Sequence, residues 1–204
     1  MSATPIRLDS PRMLDALRAQ TGHLHTRLEK RMPFFSPGMN HALYVRLIQA
    51  YYGFYQPLEA ALMDCMCAPS GLDLALRLKA PTLQRDLQAL GHDVHSFAQW
   101  PVCQDLPCID SPGACLGVLY VLEGATLGGQ VLRRQMHVTL GLDEHTGAAF
   151  MNVYGAETGR RWKAFLALLD EQPADPALHQ AAAQAACATF NCFEQWLERQ
   201  GVLS

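Results

Sequence analysis

Apolar residues recur at steps of three and four through Leu14, Leu17, Thr21, Leu24 and Leu28, and nowhere does the chain alternate apolar and polar residues for more than a few positions. The first spacing lays a stripe along one side of an α-helix, whereas a half-buried strand would need the second. Proline and glycine then cut the chain into helix-sized pieces. Ser10-Pro11 reads as a cap followed by proline at the first helical position, opening a helix to about residue 31 that Pro33 and Pro37 close. Further helices are predicted at about 40–55, kinked or restarted at Pro57, and at 72–79 and 82–90. Residues 91–110 read as a loop with a helical turn near 95–100. Ser111-Pro112 repeats the cap-and-proline start and opens a helix to about residue 140. A short helix at 146–154 and longer ones at 156–169 and 176–200 complete the chain, the last closed by Gly201. The expected architecture is an all-α bundle of six to eight helices.

The 204 residues suit one domain spanning 1–204, with about 1–9 as a flexible N-terminal segment. A net charge of −3 and the lack of a long basic run argue against nucleic acid as a partner. No uninterrupted apolar run reaches the roughly 18 residues of a membrane span, so no membrane is expected. The first dozen residues have no apolar core of a signal peptide, which places the protein in the cytoplasm with its thiols reduced. Seven cysteines at irregular spacing, with no CxxC, give little support to zinc or thioredoxin-like chemistry. Arg133-Arg134 and Arg160-Arg161-Trp162-Lys163 read as solvated helix faces.

Two helices carry unusual patterns. On the first, His23 and His25 point roughly 200° apart at 100° per residue. Arg18 lies within about 20° of His25, and Thr21 and Glu29 about 40° to either side. His25 therefore shares a face with apolar residues, one cation and one carboxylate, and Glu29 stands one turn on, where it could orient the ring. A satisfied core histidine is the plain alternative. On the helix after Ser111 stand Gly113, Gly117, Gly124, Gly128 and Gly129. Interior glycine costs about 1 kcal/mol relative to alanine, so several in one helix need a reason. Gly117, Gly124 and Gly128 fall within about 20° of one direction, with Gly113 nearby. Close helix–helix packing is one explanation. A flat ligand lying on bare backbone, with Gly128-Gly129 letting the helix bend over it, is the other. A nitrogen ligand on one helix and a bare wall on another suit an iron porphyrin, which needs one axial histidine and an open second face.

The segment from Thr21 to Glu29, TGHLHTRLE, resembles the proximal helix of haem oxygenases, whose ligand histidine precedes a glutamate by four residues. The segment from Leu122 to Gln130, LEGATLGGQ, resembles their kinked distal helix. The likeness runs in order over most of the chain and is greatest to bacterial members that supply bilin to bacteriophytochromes. It implies a haem-sandwiching helical fold that uses haem b as substrate and cofactor. Haem is opened to biliverdin, CO and ferrous iron with O₂ and electrons from a separate ferredoxin or flavoprotein reductase. A bacteriophytochrome would accept the product, with the α isomer predominating.

By the same resemblance His25 is the proximal ligand and Glu29 its acceptor. Gly124, Ala125 and Gly128 form the catalytic distal wall, with Gly129 beside them. Arg18 and Tyr120 grip propionates, Lys163 is a further propionate candidate, and Phe190 and Phe193 pack near the haem. Ala125 departs from mammalian members, which carry an aspartate there; proton delivery must then use backbone carbonyls, water or another side chain such as Thr126. A haem carrier or sensor on the same fold is the alternative function. A di-iron or thiaminase-like bundle is another, and the lack of any Glu-x-x-His pair counts against it.

Overall fold

The computed structural model describes residues 12–69 and 71–204. The Ser10-Pro11 cap and the segment 1–9 lie outside the described residues. Among those residues are seven α-helices and no strand. They are α1 (Met13–Arg31), α2 (His41–Asp64), α3 (Ala80–Ala89), α4 (Pro112–Gly124), α5 (Gly129–Leu140), α6 (Thr158–Asp170) and α7 (Pro176–Arg199), joined by loops and short 3-10 turns.

Local chemistry sets most boundaries. The Asn40 side chain accepts the Leu43 N–H at 3.0 Å to start α2, and Ser111 Oγ accepts the Ala114 N–H at 3.2 Å to start α4, with Pro112 behind it. Gly141, at φ 71°, ends α5 in the left-handed conformation that glycine adopts without penalty. Residues 72–79, expected as a helix, hold only the 3-10 turn Ala75–Arg77. Residues 146–154 similarly hold the 3-10 turn Ala149–Asn152. Pro57 does not restart α2. The helix runs through it because Phe54, Tyr55, Leu58 and Glu59 around it are buried and packing holds the turn together.

The core is organised around α7. Helix α4 lies against it so closely that a Cβ on Gly113 would meet the Leu178 carbonyl at 2.6 Å and one on Gly117 the Ala182 carbonyl at 2.0 Å. Helix α1 docks on α7 through its Leu14–Leu28 stripe and through ion pairs. Arg27 and Arg31 both hold Glu194, and Arg31 also reaches Glu198 at 2.9 Å. Although burial opposes it, the bonds from Arg27 and Arg31 hold the Glu194 carboxyl below its usual range. Trp196 Nε1 donates to the Ala50 carbonyl at 2.7 Å and fastens α7 to α2.

The helix predicted over 112–140 is interrupted. Residues Ala125–Gly128 form a 3-10 turn between α4 and α5, and Thr126 Oγ1 donates to the Glu123 carbonyl at 2.7 Å at that point. The path from Pro112 to Leu140 is also long and apolar enough to cross a membrane by length and composition alone, with mean hydropathy 1.4 over 18 residues. That window tolerates polar interruptions, so it stands beside the lack of an uninterrupted apolar run. Within the fold, α4 is a buried core helix, which produces the same signature.

Candidate active site

Helices α1 and α4 both pack on α7, and a cavity of about 640 Å³ opens beside that junction. That volume suits a ligand of several fused rings. Helix α1 contributes Arg18, Thr21, Gly22, His25 and Glu29 to one wall. The end of α4 and the turn into α5 contribute Tyr120, Gly124, Ala125, Gly128 and Val131 to another. Aromatic rings line much of the remainder: Tyr51 and Tyr55 from α2, Trp162 from α6, and Phe190 and Phe193 from α7.

The histidines separate as helical geometry requires. His25 lines the cavity with its side chain 64% exposed, and its ring meets Phe190 edge-on at 6.1 Å. His23 is exposed and lines no part of it. Glu29 Oε2 stands 3.8 Å from His25 Nδ1, beyond hydrogen-bond reach. Arg18 is the only lysine or arginine among the described lining residues, and it makes no hydrogen bond or ion pair with any described residue. The next arginines along α1, Arg27 and Arg31, are committed to Glu194.

The glycine face divides. At Gly128 a Cβ would meet nothing within 4 Å, and at Gly124 it would make only ordinary contact with the Trp162 ring at 3.8 Å. Both line the cavity. Gly113 and Gly117 do not, and their bare backbone is filled by α7. Gly129, expected beside the ligand, is buried on the other side of the turn, where a Cβ would lie 2.0 Å from the Met151 carbonyl. It is a packing glycine. Lys163 is a second correction. It is exposed on α6 and absent from the lining, because its neighbour Trp162, about 100° round the helix, takes the inward position. Thr126 is likewise absent from the lining, its hydroxyl spent on the Glu123 carbonyl.

Several cavity residues escaped the sequence reading. Tyr51 and Tyr55 stack at 6.0 Å, and Tyr51 meets Phe193 edge-on at 5.1 Å. Burial pushes both phenols above their usual range, so they stay neutral. Their i, i+4 spacing on α2 was the available signal, indistinguishable from ordinary core. Trp162 was hidden in a basic run. Also unforeseen are two buried carboxylates that cap loops. Glu59 accepts the N–H groups of Lys79 and Ala80 at 2.7 and 2.9 Å. Asp86 accepts those of Ala149 and Phe150 at 2.8 and 2.7 Å. The Asp86 bonds set Phe150 against Tyr51 and Tyr55 from behind.

Haem matches these walls on three counts. The cavity is largely apolar and aromatic, backbone stands bare where a Cβ would have had free room, and a single imidazole faces in. No group of three or more His, Cys, Asp or Glu side chains suited to a metal ion occurs among the described residues. Fold and cavity define an all-helical protein with a largely apolar, aromatic-lined cavity into which, among the described residues, one histidine faces.

Comparison with known proteins narrows that class. The haem oxygenase family model matches residues 12–199. The chain is 31% identical over 183 residues to the haem oxygenase PigA of Pseudomonas aeruginosa, covering 90% of each protein. It is 27% identical over 157 residues to a haem oxygenase of Xanthomonas campestris, covering 76% of this chain and 88% of that one. Among solved structures, the haem oxygenase of Leptospira interrogans superposes with a TM-score of 0.77 at 18% identity, over 93% of this chain and all of that one. Haem oxygenase-1 of the cyanobacterium Synechocystis, solved with haem, gives 0.74 at 15% identity over 93% and 92%. The chain belongs to the haem oxygenase family and is an enzyme of that class.

Proposed function

We propose that the protein cleaves haem b to biliverdin, CO and ferrous iron, with His25 as the residue that would hold the haem iron. The observation that carries this is the joint placement of the His25 ring and the bare backbone of Gly124 and Gly128 on walls of one 640 Å³ cavity. Bound haem supplies the iron at which O₂ is activated. The residues then have separable tasks. His25 would hold the iron through its imidazole, and Glu29, whose Oε2 stands 3.8 Å from Nδ1, would accept the Nδ1–H on a closer approach. Arg18 offers a charge-assisted bond to a propionate and Tyr120 a single hydroxyl. Gly124, Ala125 and Gly128 leave O₂ room beside the ring edge, and Tyr51, Tyr55, Phe190 and Phe193 exclude water from the apolar side.

Electrons come, in this reading, from a separate ferredoxin or flavoprotein reductase, and a bacteriophytochrome takes the α isomer of biliverdin. Seven unpaired cysteines support a reducing, cytoplasmic setting. The test is spectroscopic. His25→Ala should lose the histidine-ligated ferric haem spectrum and at least a hundredfold in bilin formation, while His23→Ala keeps both. The reverse pattern would refute the assignment of the ligand.

A further inference from the structure

Glu123 immediately precedes the distal wall and lines no part of the cavity. Its side chain is 1% exposed, and three groups from two connecting segments, the one before α3 and the one before α6, converge on it. Arg77 Nη1 donates to Oε2 at 2.6 Å, Lys79 Nζ to Oε1 at 2.8 Å and the Tyr154 hydroxyl to Oε1 at 2.8 Å. Lys79 is itself 1% exposed and also donates to the Arg77 carbonyl at 2.9 Å. Arg161 closes the cluster over the Tyr154 ring at 4.5 Å. The Glu123 carbonyl is held as well, by Thr126 Oγ1, where α4 passes into the 3-10 turn.

A site that merely needed filling would do better with apolar side chains, because desolvating a carboxylate and two cations offsets most of their attraction. What the charges add is direction. Three donors from two segments engage both carboxylate oxygens, so the residue can neither rotate nor slide along the helix axis without leaving a buried charge unpaired. A Cβ on Gly124, the next residue, would make only van der Waals contact with Trp162 and one on Gly128 would meet nothing within 4 Å, so no close packing on the cavity side fixes these two positions. The position of the bare wall is therefore set from behind.

We propose that Glu123 is a positioning residue for ring opening: its ion cluster fixes where the Gly124–Gly128 turn stands over the cavity, and thereby which edge of the haem meets O₂. The inference rests on the haem oxygenase reading above. A carboxylate clamped by three donors fixes one wall position and hence one ring edge. A loosened clamp gives a spread of positions and a mixture of products.

The test uses Glu123→Gln, which keeps the shape but turns an amide NH₂ towards a cationic donor, and Tyr154→Phe, which removes one donor and keeps the ring. In the haem-free proteins, amide hydrogen exchange at residues 125–129 should quicken about tenfold while α2 and α7 keep wild-type rates. With haem and a reductant, the ratio of biliverdin isomers should shift at least twofold towards a mixture. Tyr154→Phe should show both effects to a smaller degree, and it carries the test if Glu123→Gln does not fold. Exchange that rises evenly across the molecule would reduce the cluster to a stability element. Local loosening with an unchanged isomer ratio would overturn the role in product choice. A wild-type protein that makes no bilin would instead sink the functional reading, while the exchange measurement would still report on the clamp.

Discussion

Gly113 and Gly117 share one face of a single helical path with Gly124 and Gly128, yet the two halves of that face do different things. In the first half a Cβ would stand 2.0–2.6 Å from carbonyl oxygens of α7, so the glycines exist for the fold. In the second half a Cβ would have free room or ordinary contact, so nothing in the protein itself demands glycine. The helix bears an unfavourable propensity there without any packing return. A residue choice that the fold does not require points to something outside the chain, and the cavity on that side says where it lies. The comparison teaches that glycine spacing identifies a close approach but not the approaching partner, helix or ligand.

The sharpest way to break this comparison is Gly117→Ala. The added methyl group cannot fit unless α4 and α7 part, and overpacking of that severity costs about 3 kcal/mol. Urea unfolding should show it as a lowered midpoint at unchanged slope. A loss below about 0.5 kcal/mol would mean that the two halves do not differ as described.

Next in size comes the opposite kind of change at the other half. Gly128→Leu and Gly128→Ala should each leave stability within about 0.5 kcal/mol of wild type, since a Cβ there meets nothing within 4 Å. Haem affinity in Gly128→Leu should nevertheless fall at least tenfold, because the side chain takes the space a ligand would use. Gly124→Leu should do the same with a small stability loss, since Trp162 is already in contact range. Titration of hemin followed by its Soret band measures both. If the leucine variants bind haem as the wild type does, no ligand lies against this backbone.

The division also shows how far the sequence could be read. Periods of three and four, the Ser111-Pro112 cap and the Gly201 stop were legible because they depend on residues within one turn of each other. The separation of His23 from His25 was legible for the same reason. What escaped depends on partners distant in sequence. Gly129 was grouped with the wall because only the Met151 carbonyl, brought in by the loop before α6, shows that it faces the other way. Lys163 is a propionate candidate by resemblance alone, while the inward direction of α6, which brings Trp162 to the cavity, is set by its packing. The buried roles of the Glu59, Asp86 and Glu123 carboxylates depend on partners 20 to 64 residues away.

The smallest effect concerns what holds Met151 against Gly129. Asp86 accepts the N–H groups of Ala149 and Phe150 and so fixes the turn that carries the Met151 carbonyl. Burial raises the Asp86 carboxyl from 3.8 to about 6, against the lowering pull of the Phe150 and Ala149 N–H groups and of Arg85. The folded chain thus takes up this proton more readily than the unfolded chain. Well above pH 6 both states are ionised and the folded one bears the full cost of a buried charge. As pH falls from 6 towards 3.8 the folded state alone is protonated, and stability rises. Glu194 works with the opposite sign, its carboxyl being held below 4.5, so it withdraws stability only at lower pH and leaves the window from 7 to 5 clear. Glu59, also raised by burial, adds to the Asp86 trend, so a second protein is needed to isolate it. In Asp86→Asn one amide N–H of the turn must face an NH₂ group, which lowers stability at every pH but removes the titration. Wild type should therefore gain about 1 kcal/mol more than Asp86→Asn between pH 7 and pH 5, measured by urea unfolding at both. Equal gains would show that Asp86 is already charged or already neutral across that range, and that the turn behind Gly129 is held without a titrating group.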